Sequence, residues 1–223
     1  MTFESFADLR SIFREDAREA YLALVERRPG EHICAFALVT DDDALGAHGV
    51  GDTIERRKKR LGAREPRNDA ERKYHDWEFG WNTGEWDEIY SEEHPRTETP
   101  GIGAKEYLTG MMSFQECWIS QEGHSEGMFR PNSLRAMVDA LADLDGEGLF
   151  GKGLARDAIT LFVEITDSDD SDAAKLATAR MLNPPKAAQA LTRSLPWSGR
   201  LIVTAMEVVG WFRRGRMIAL RSA

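Results

Sequence analysis

Along the first thirty residues, Phe3, Phe6, Leu9, Phe13, Ala17, Ala20, Tyr21 and Leu24 recur at three- and four-residue steps. That period predicts one amphipathic helix, ending at Pro29-Gly30. The run Ile33-Cys34-Ala35-Phe36-Ala37-Leu38-Val39 is apolar without alternation and opens into Thr40-Asp41-Asp42-Asp43, as in a strand buried on both faces. Asp52 and Glu55 are placed to cap a short basic helix, and residues 56–73 are mostly charged, which reads as a solvated helix or loop. Tyr74, Trp77, Phe79, Trp81, Trp86 and Tyr90 return the chain to the core, with Thr83-Gly84-Glu85-Trp86 read as a loop entering a helix. A second long helix is marked by Tyr107, Leu108, Met111, Met112, Trp118 and Ile119, and a third is expected from Pro131 through Leu144. A second strand, Ile159-Thr160-Leu161-Phe162-Val163-Glu164-Ile165-Thr166, runs into Asp167-Ser168-Asp169-Asp170-Ser171-Asp172 and a helix that stops at Asn183-Pro184-Pro185.

The pattern predicts an α/β or α+β fold: a small mixed sheet covered by several helices, one globular domain over residues 1–185. From Lys186 the composition turns basic and apolar, with Arg193, Arg200, Arg213, Arg214, Arg216 and Arg221 against Glu207 alone. Residues 186–223 are therefore expected to be a C-terminal appendage, helical or hairpin.

The 223 residues carry 29 Lys plus Arg against 38 Asp plus Glu, a net charge of −9. An acidic total argues against nucleic acid as the general partner. The first five residues have neither the basic nor the apolar region of a secretory signal, and the longest apolar run, residues 201–212, is broken by Glu207 and shorter than the ~20 residues of a membrane span. Cys34 and Cys117 are expected as free, buried thiols. Together these features suggest a cytoplasmic protein that does not enter a membrane.

Several segments imitate catalytic motifs. Gly123-His124-Ser125-Glu126-Gly127 fits the nucleophile pattern of hydrolases, but a helix precedes it and no histidine follows that could complete the usual order. Gly146-Glu147-Gly148-Leu149-Phe150-Gly151 fits a dinucleotide loop and, run on to Lys152-Gly153, nearly fits a phosphate loop. Both need a strand before and a helix after, and here that order is reversed. Each reads better as a turn.

The acids offer more. Asp167, Asp169, Asp170 and Asp172 are spaced like ligands of calcium or magnesium, and with Asp41 to Asp43 they would form one negative pole if the two strands are neighbours. Capping of the following helix is the commoner use of such acids. Arg56-Arg57-Lys58-Lys59-Arg60 is the dense basic run of the first 185 residues, diluted by Glu55, Glu65, Asp69 and Glu71. With Tyr74 and Trp77 following, the run could grip phosphates; it reads better as a solvated face, and next as a dock for an acidic protein. His75, Trp77, Trp81, Glu85 and Trp86 either line a pocket or form a tryptophan seam in the core.

Phe36-Ala37-Leu38-Val39-Thr40-Asp41-Asp42-Asp43, Glu85-Trp86 with Tyr90, Phe162-Val163-Glu164-Ile165-Thr166-Asp167-Ser168-Asp169 and Leu182-Asn183-Pro184 together resemble a bacterial family defined as a domain of unknown function, DUF4303, over about residues 3–185. The family's Asn-Thr-Glu-Glu after the first strand is replaced here by Gly51-Asp52-Thr53-Ile54-Glu55, and the tail beyond Pro185 lies outside the resemblance. By analogy, such families look like accessory and immunity-type proteins of bacterial toxin systems, which act by binding another protein. No catalytic residue and no cofactor comes with the resemblance. The expectation is a protein-binding domain rather than an enzyme, with Asp41, Asp43, Glu85, Trp86, Asp167, Asp169, Arg57 and Lys58 as candidate contact residues. The rival is a metal-assisted, hydrolase-like enzyme built on the acidic strand ends, with Asp167, Asp169 and Asp170 as its ligands.

Overall fold

A computed structural model describes residues 3–63, 65–86, 98–99, 102–166, 168–169 and 171–194. Its centre is a three-stranded mixed sheet ordered β2-β1-β5, in which β1 (Ile33–Thr40) pairs antiparallel with β2 (His48–Thr53) and parallel with β5 (Thr160–Ile165). Eight helices surround it among the described residues: α1 (Phe6–Arg27), α2 (Ile54–Gly62), α3 (Asp69–Trp81), α4 (Ala104–Ile119), α5 (Glu126–Glu147), α6 (Leu154–Asp157), α7 (Ser171–Leu182) and α8 (Pro185–Ser194). A short 3₁₀ turn, Thr83–Glu85, follows α3, and β3 (Glu98–Thr99) pairs with β4 (Ile102–Gly103). The expected mixed α/β architecture is present.

Strand alternation divides the interior in two. Phe36 and Leu38 of β1 with Leu161, Val163 and Ile165 of β5 face a large core built with α1, α4 and α5. Ala35, Ala37 and Val39 with Val50 and Phe162 face the other way, against Trp77, Trp81, Trp86, Leu176, Ala179 and Leu191. A continuous apolar run in β1 is what a central strand with both faces buried requires.

α1 begins at a reciprocal cap: Asp8 N–H donates to Ser5 Oγ, and the Asp8 carboxylate accepts from the backbone of Ser5. Along its flank Arg10 pairs with Asp143, while Arg14 and Arg18 pair with Glu147, fastening α1 to α5. α5 starts five residues before the expected Pro131, which occupies its sixth position; a proline tolerated inside the helix displaced the apparent start. α5 closes on left-handed Gly148 (φ 86°), where Leu149 N–H donates to Leu144 O. The glycine run is thus a helix stop and connection, as its context implied.

β2 is the element the apolar pattern did not predict. α1 crosses it so closely that a Cβ on Gly49 would lie 2.6 Å from the Ala20 Cβ, and one on Gly51 would lie 2.4 Å from Leu24 Cδ2. At the other edge of the sheet α7 runs beside β5 and replaces a missing strand. Val163 N–H donates to Thr178 Oγ1, Leu161 N–H to Asn183 Oδ1, and Asn183 Nδ2 returns to Leu161 O. The edge is sealed by side chains, which protects it from pairing with another chain.

α8 covers residues 185–194, at the start of the expected appendage, and it packs on β5, α3 and α7 with Ala187, Ala188 and Leu191 buried. The remainder of that segment, like Tyr90, lies outside the described residues. Among the described residues no helix is long and apolar enough to cross a membrane.

Candidate functional site

The parallel pairing of β1 with β5 brings their C-terminal ends together, Thr40 beside Ile165, and the ladder extends one step further through Thr166 N–H to Thr40 O. Both strands therefore deliver their acidic loops to the same rim of the sheet. Asp41, Asp43 and Asp169 are exposed there. Asp42 pairs with Arg130 at 3.0 Å, and Arg130 Nη2 also donates to Ser168 Oγ at 2.9 Å, so one guanidinium from α5 ties the two loops.

The first loop is held rigidly. Ala44 has φ 53°, a left-handed backbone that a non-glycine residue adopts at a cost of roughly 1 kcal/mol or more. Its methyl is fully buried and its carbonyl accepts from the buried Ser133 Oγ at 2.7 Å. Thr40 Oγ1 donates to Gly46 O at 2.5 Å and Ala44 N–H to Asp41 O. Packing thus fixes a strained turn, and the turn presents Asp41 and Asp43 outward. Asp167 and Asp170 lie outside the described residues, and among the described residues no three His, Cys, Asp or Glu side chains converge as a metal site would need.

The basic segment lies at the far end of the sheet. α2 starts from Thr53, which pairs with Ile33 at the other end of β1, an eight-residue strand and so about 25 Å away. Lys58 is exposed, but Arg57 is turned in: its Nε donates to Asp52 at 2.9 Å and its guanidinium lies 4.1 Å over the Trp81 ring. Asp52, expected as a cap, is instead a buried acceptor on β2, also bound by Arg60 at 2.6 Å; the cap is Thr53, whose Oγ1 accepts from Arg56 N–H. Glu55 accepts from the backbone N–H and then from the ring of His32, which together hold its carboxyl down at about 2.

The aromatic residues form a core seam. Trp77, Trp81 and Trp86 are buried; Trp86 meets Phe162 edge-on at 5.7 Å, and its Nε1 donates to Gly80 O. Glu85 sits exposed on the 3₁₀ turn that ends at Trp86, where a loop entering a helix was expected. Behind the seam is a buried ion pair that sequence reasoning missed: Lys175 of α7 lies 2.7 Å from Glu164 of β5, donates to Trp81 O and stands 4.8 Å over the Trp77 ring. Glu164 also accepts from Thr83 N–H. An acid in the middle of an apolar strand was the available signal.

The remaining motif residues have structural places. Ser125 is exposed at the start of α5, and His124 stacks on Trp118 at 4.1 Å with its Nδ1 on the Trp118 carbonyl. Both cysteines are free. Cys34 is buried and its thiol is pushed up to about 11 by that burial, whereas Cys117 is exposed, contrary to expectation, because it falls on the outer side of α4.

No curated protein and no solved structure matches the chain. From the middle of α1 to the loop that follows α7, over residues 13–184, it matches the model of the domain of unknown function DUF4303, and it belongs to that family.

Proposed function

We propose that the protein is a non-enzymatic binding domain, of accessory or immunity type, that recognises a basic surface on another protein through the rim formed by Asp41, Asp43 and Asp169. The observation that carries this reading is the fixed acidic turn after β1: a strained Ala44, locked by Ser133 and bordered by Arg130, fixes the backbone that carries two exposed carboxylates. A preorganised charged surface favours fast, specific association because little ordering remains to be done on binding. The serine and glycine motifs, by contrast, occupy turns and helix ends. Two unbridged cysteines suit a reducing compartment, and we place the protein in the cytoplasm.

The test is purification of the tagged chain from its host beside the variant Asp41→Lys/Asp43→Lys/Asp169→Lys. One stoichiometric protein partner, lost in the variant and weakened by salt, supports the reading. A partner retained equally by both chains overturns the assignment to this rim. A rise in melting temperature with millimolar magnesium or calcium, lost in Asp169→Ala, would favour the metal-assisted enzyme.

A further inference from the structure

The pairs at the base of α2 leave charge and hydrogen-bonding capacity over. Two guanidinium groups, Arg57 and Arg60, share one oxygen of one buried carboxylate, Asp52 Oδ2. Asp52 Oδ1, Arg57 Nη2 and Arg60 Nη1 are all sealed from solvent without a hydrogen-bond partner. Asp52 is 1% exposed, the Arg60 side chain 10% and the Arg57 side chain 17%, so the cluster lies just beneath the surface. Glu55, the neighbouring acid, is taken by His32. A largely buried excess of one positive charge with unused N–H donors is costly unless an anion shares it.

The helix that covers the cluster is attached by polar contacts. None of the nine residues of α2 is fully buried, and its inner side is held by the Asp52 pairs, by Arg60 Nε donating to Phe79 O, and by Arg57 on Trp81. An element with little apolar burial opens locally at low free energy.

We propose that Arg57 and Arg60 form a binding site for one small oxyanion, a phosphate or carboxylate group, which enters when α2 lifts and takes guanidinium N–H donors now left over or shared by Asp52. Planar guanidinium groups suit oxyanions through paired N–H donors. The site is independent of the acidic rim and stands whether or not the rim binds a protein.

The experiment is thermal unfolding of the full chain in inorganic phosphate, with acetate as a second probe and sodium chloride at matched ionic strength as reference. At about ten times its Kd, phosphate should raise Tm by roughly 3–6 °C. Asp52→Asn removes the internal competitor and should enlarge the rise, while Arg57→Gln/Arg60→Gln should abolish it and Lys58→Ala/Lys59→Ala should leave it unchanged. Should the double arginine variant fail to fold, the Arg57 Nε–H resonance of the unaltered chain, which donates to Asp52 without the anion, reports the same contact by shifting saturably with phosphate. A rise with acetate as well assigns the site to carboxylates and phosphates alike, and a rise with phosphate alone assigns it to phosphate. No rise in either the unaltered chain or Asp52→Asn, or a rise lost only with the lysines, overturns the proposal.

Discussion

The Lys175 ammonium is 2% exposed and joins three elements: Glu164 on β5, the Trp81 carbonyl at the end of α3, and its own helix α7. Removing one member of a buried pair strands the other charge, which costs about 3–5 kcal/mol. Lys175→Met should therefore destabilise the fold by that amount in urea unfolding, and adding Glu164→Gln should recover more than half; equal losses in the single and double variants would contradict the pairing. Glu55 supplies a pH-dependent contact of opposite accessibility. Its pKa falls from 4.5 to about 2 on folding, chiefly through the His32 backbone N–H and then the His32 ring. A folded value below the unfolded one means that the stabilisation is complete above about pH 4.5 and disappears as the pH falls through 2. The stability gap between the unaltered chain and Glu55→Gln should be present at pH 6 and close towards pH 2; a gap that persists there would exclude the contact.

At the scale of elements, α8 completes the face of the sheet that carries the tryptophans. Leu191 is fully buried among them and Ser194 Oγ accepts from Trp81 Nε1. Leu191→Ala should cost ~2–4 kcal/mol, and ending the chain at Pro184 should lower Tm by at least about 8 °C. An unchanged Tm would show that the first 184 residues fold without the helix. β1, β5, α1 and α4 were legible because each carries an uninterrupted run or a helical stripe of apolar residues, while α7, whose buried side is mostly alanine, was legible from the acids before it and the Asn183-Pro184-Pro185 stop after it. β2 was not, because its inner positions Gly49 and Gly51 are empty to admit α1, and only Val50 has a sizeable apolar side chain. Asp52 looked like a cap for the same reason: without a strand in view, an acid before a helix has no interior to point into. The basic run of α2 reads as uniformly solvated in one dimension, whereas Arg57 and Arg60, three residues apart, turn to the same buried carboxylate. The acidic rim was legible in part. A shared pole was expected only if the two strands were neighbours, and the parallel register makes them so, with Asp169 the described acid of the second loop; the Ala44 turn and the reach of Arg130 depend on packing between distant segments.

At the scale of the whole molecule, the two ends of β1 present different charged groups. Exposed carboxylates gather at the C-terminal ends of the two parallel strands, and exposed Lys58 and Lys59 lie on α2 at the other end of β1. Sheet order makes this polarity, because β1 runs from the basic helix to the acidic rim. With β5 closed by Thr178 and Asn183, a partner has no free strand to extend on that side and meets side chains instead. The most direct test of binding at the rim is site-specific photo-crosslinking in the host, with the reactive group placed at Asp43 and, as control, at exposed Glu19 on α1. One protein crosslinked in stoichiometric yield from position 43, and not from position 19, is the predicted result. The same proteins captured from both positions, or none from either, would contradict it.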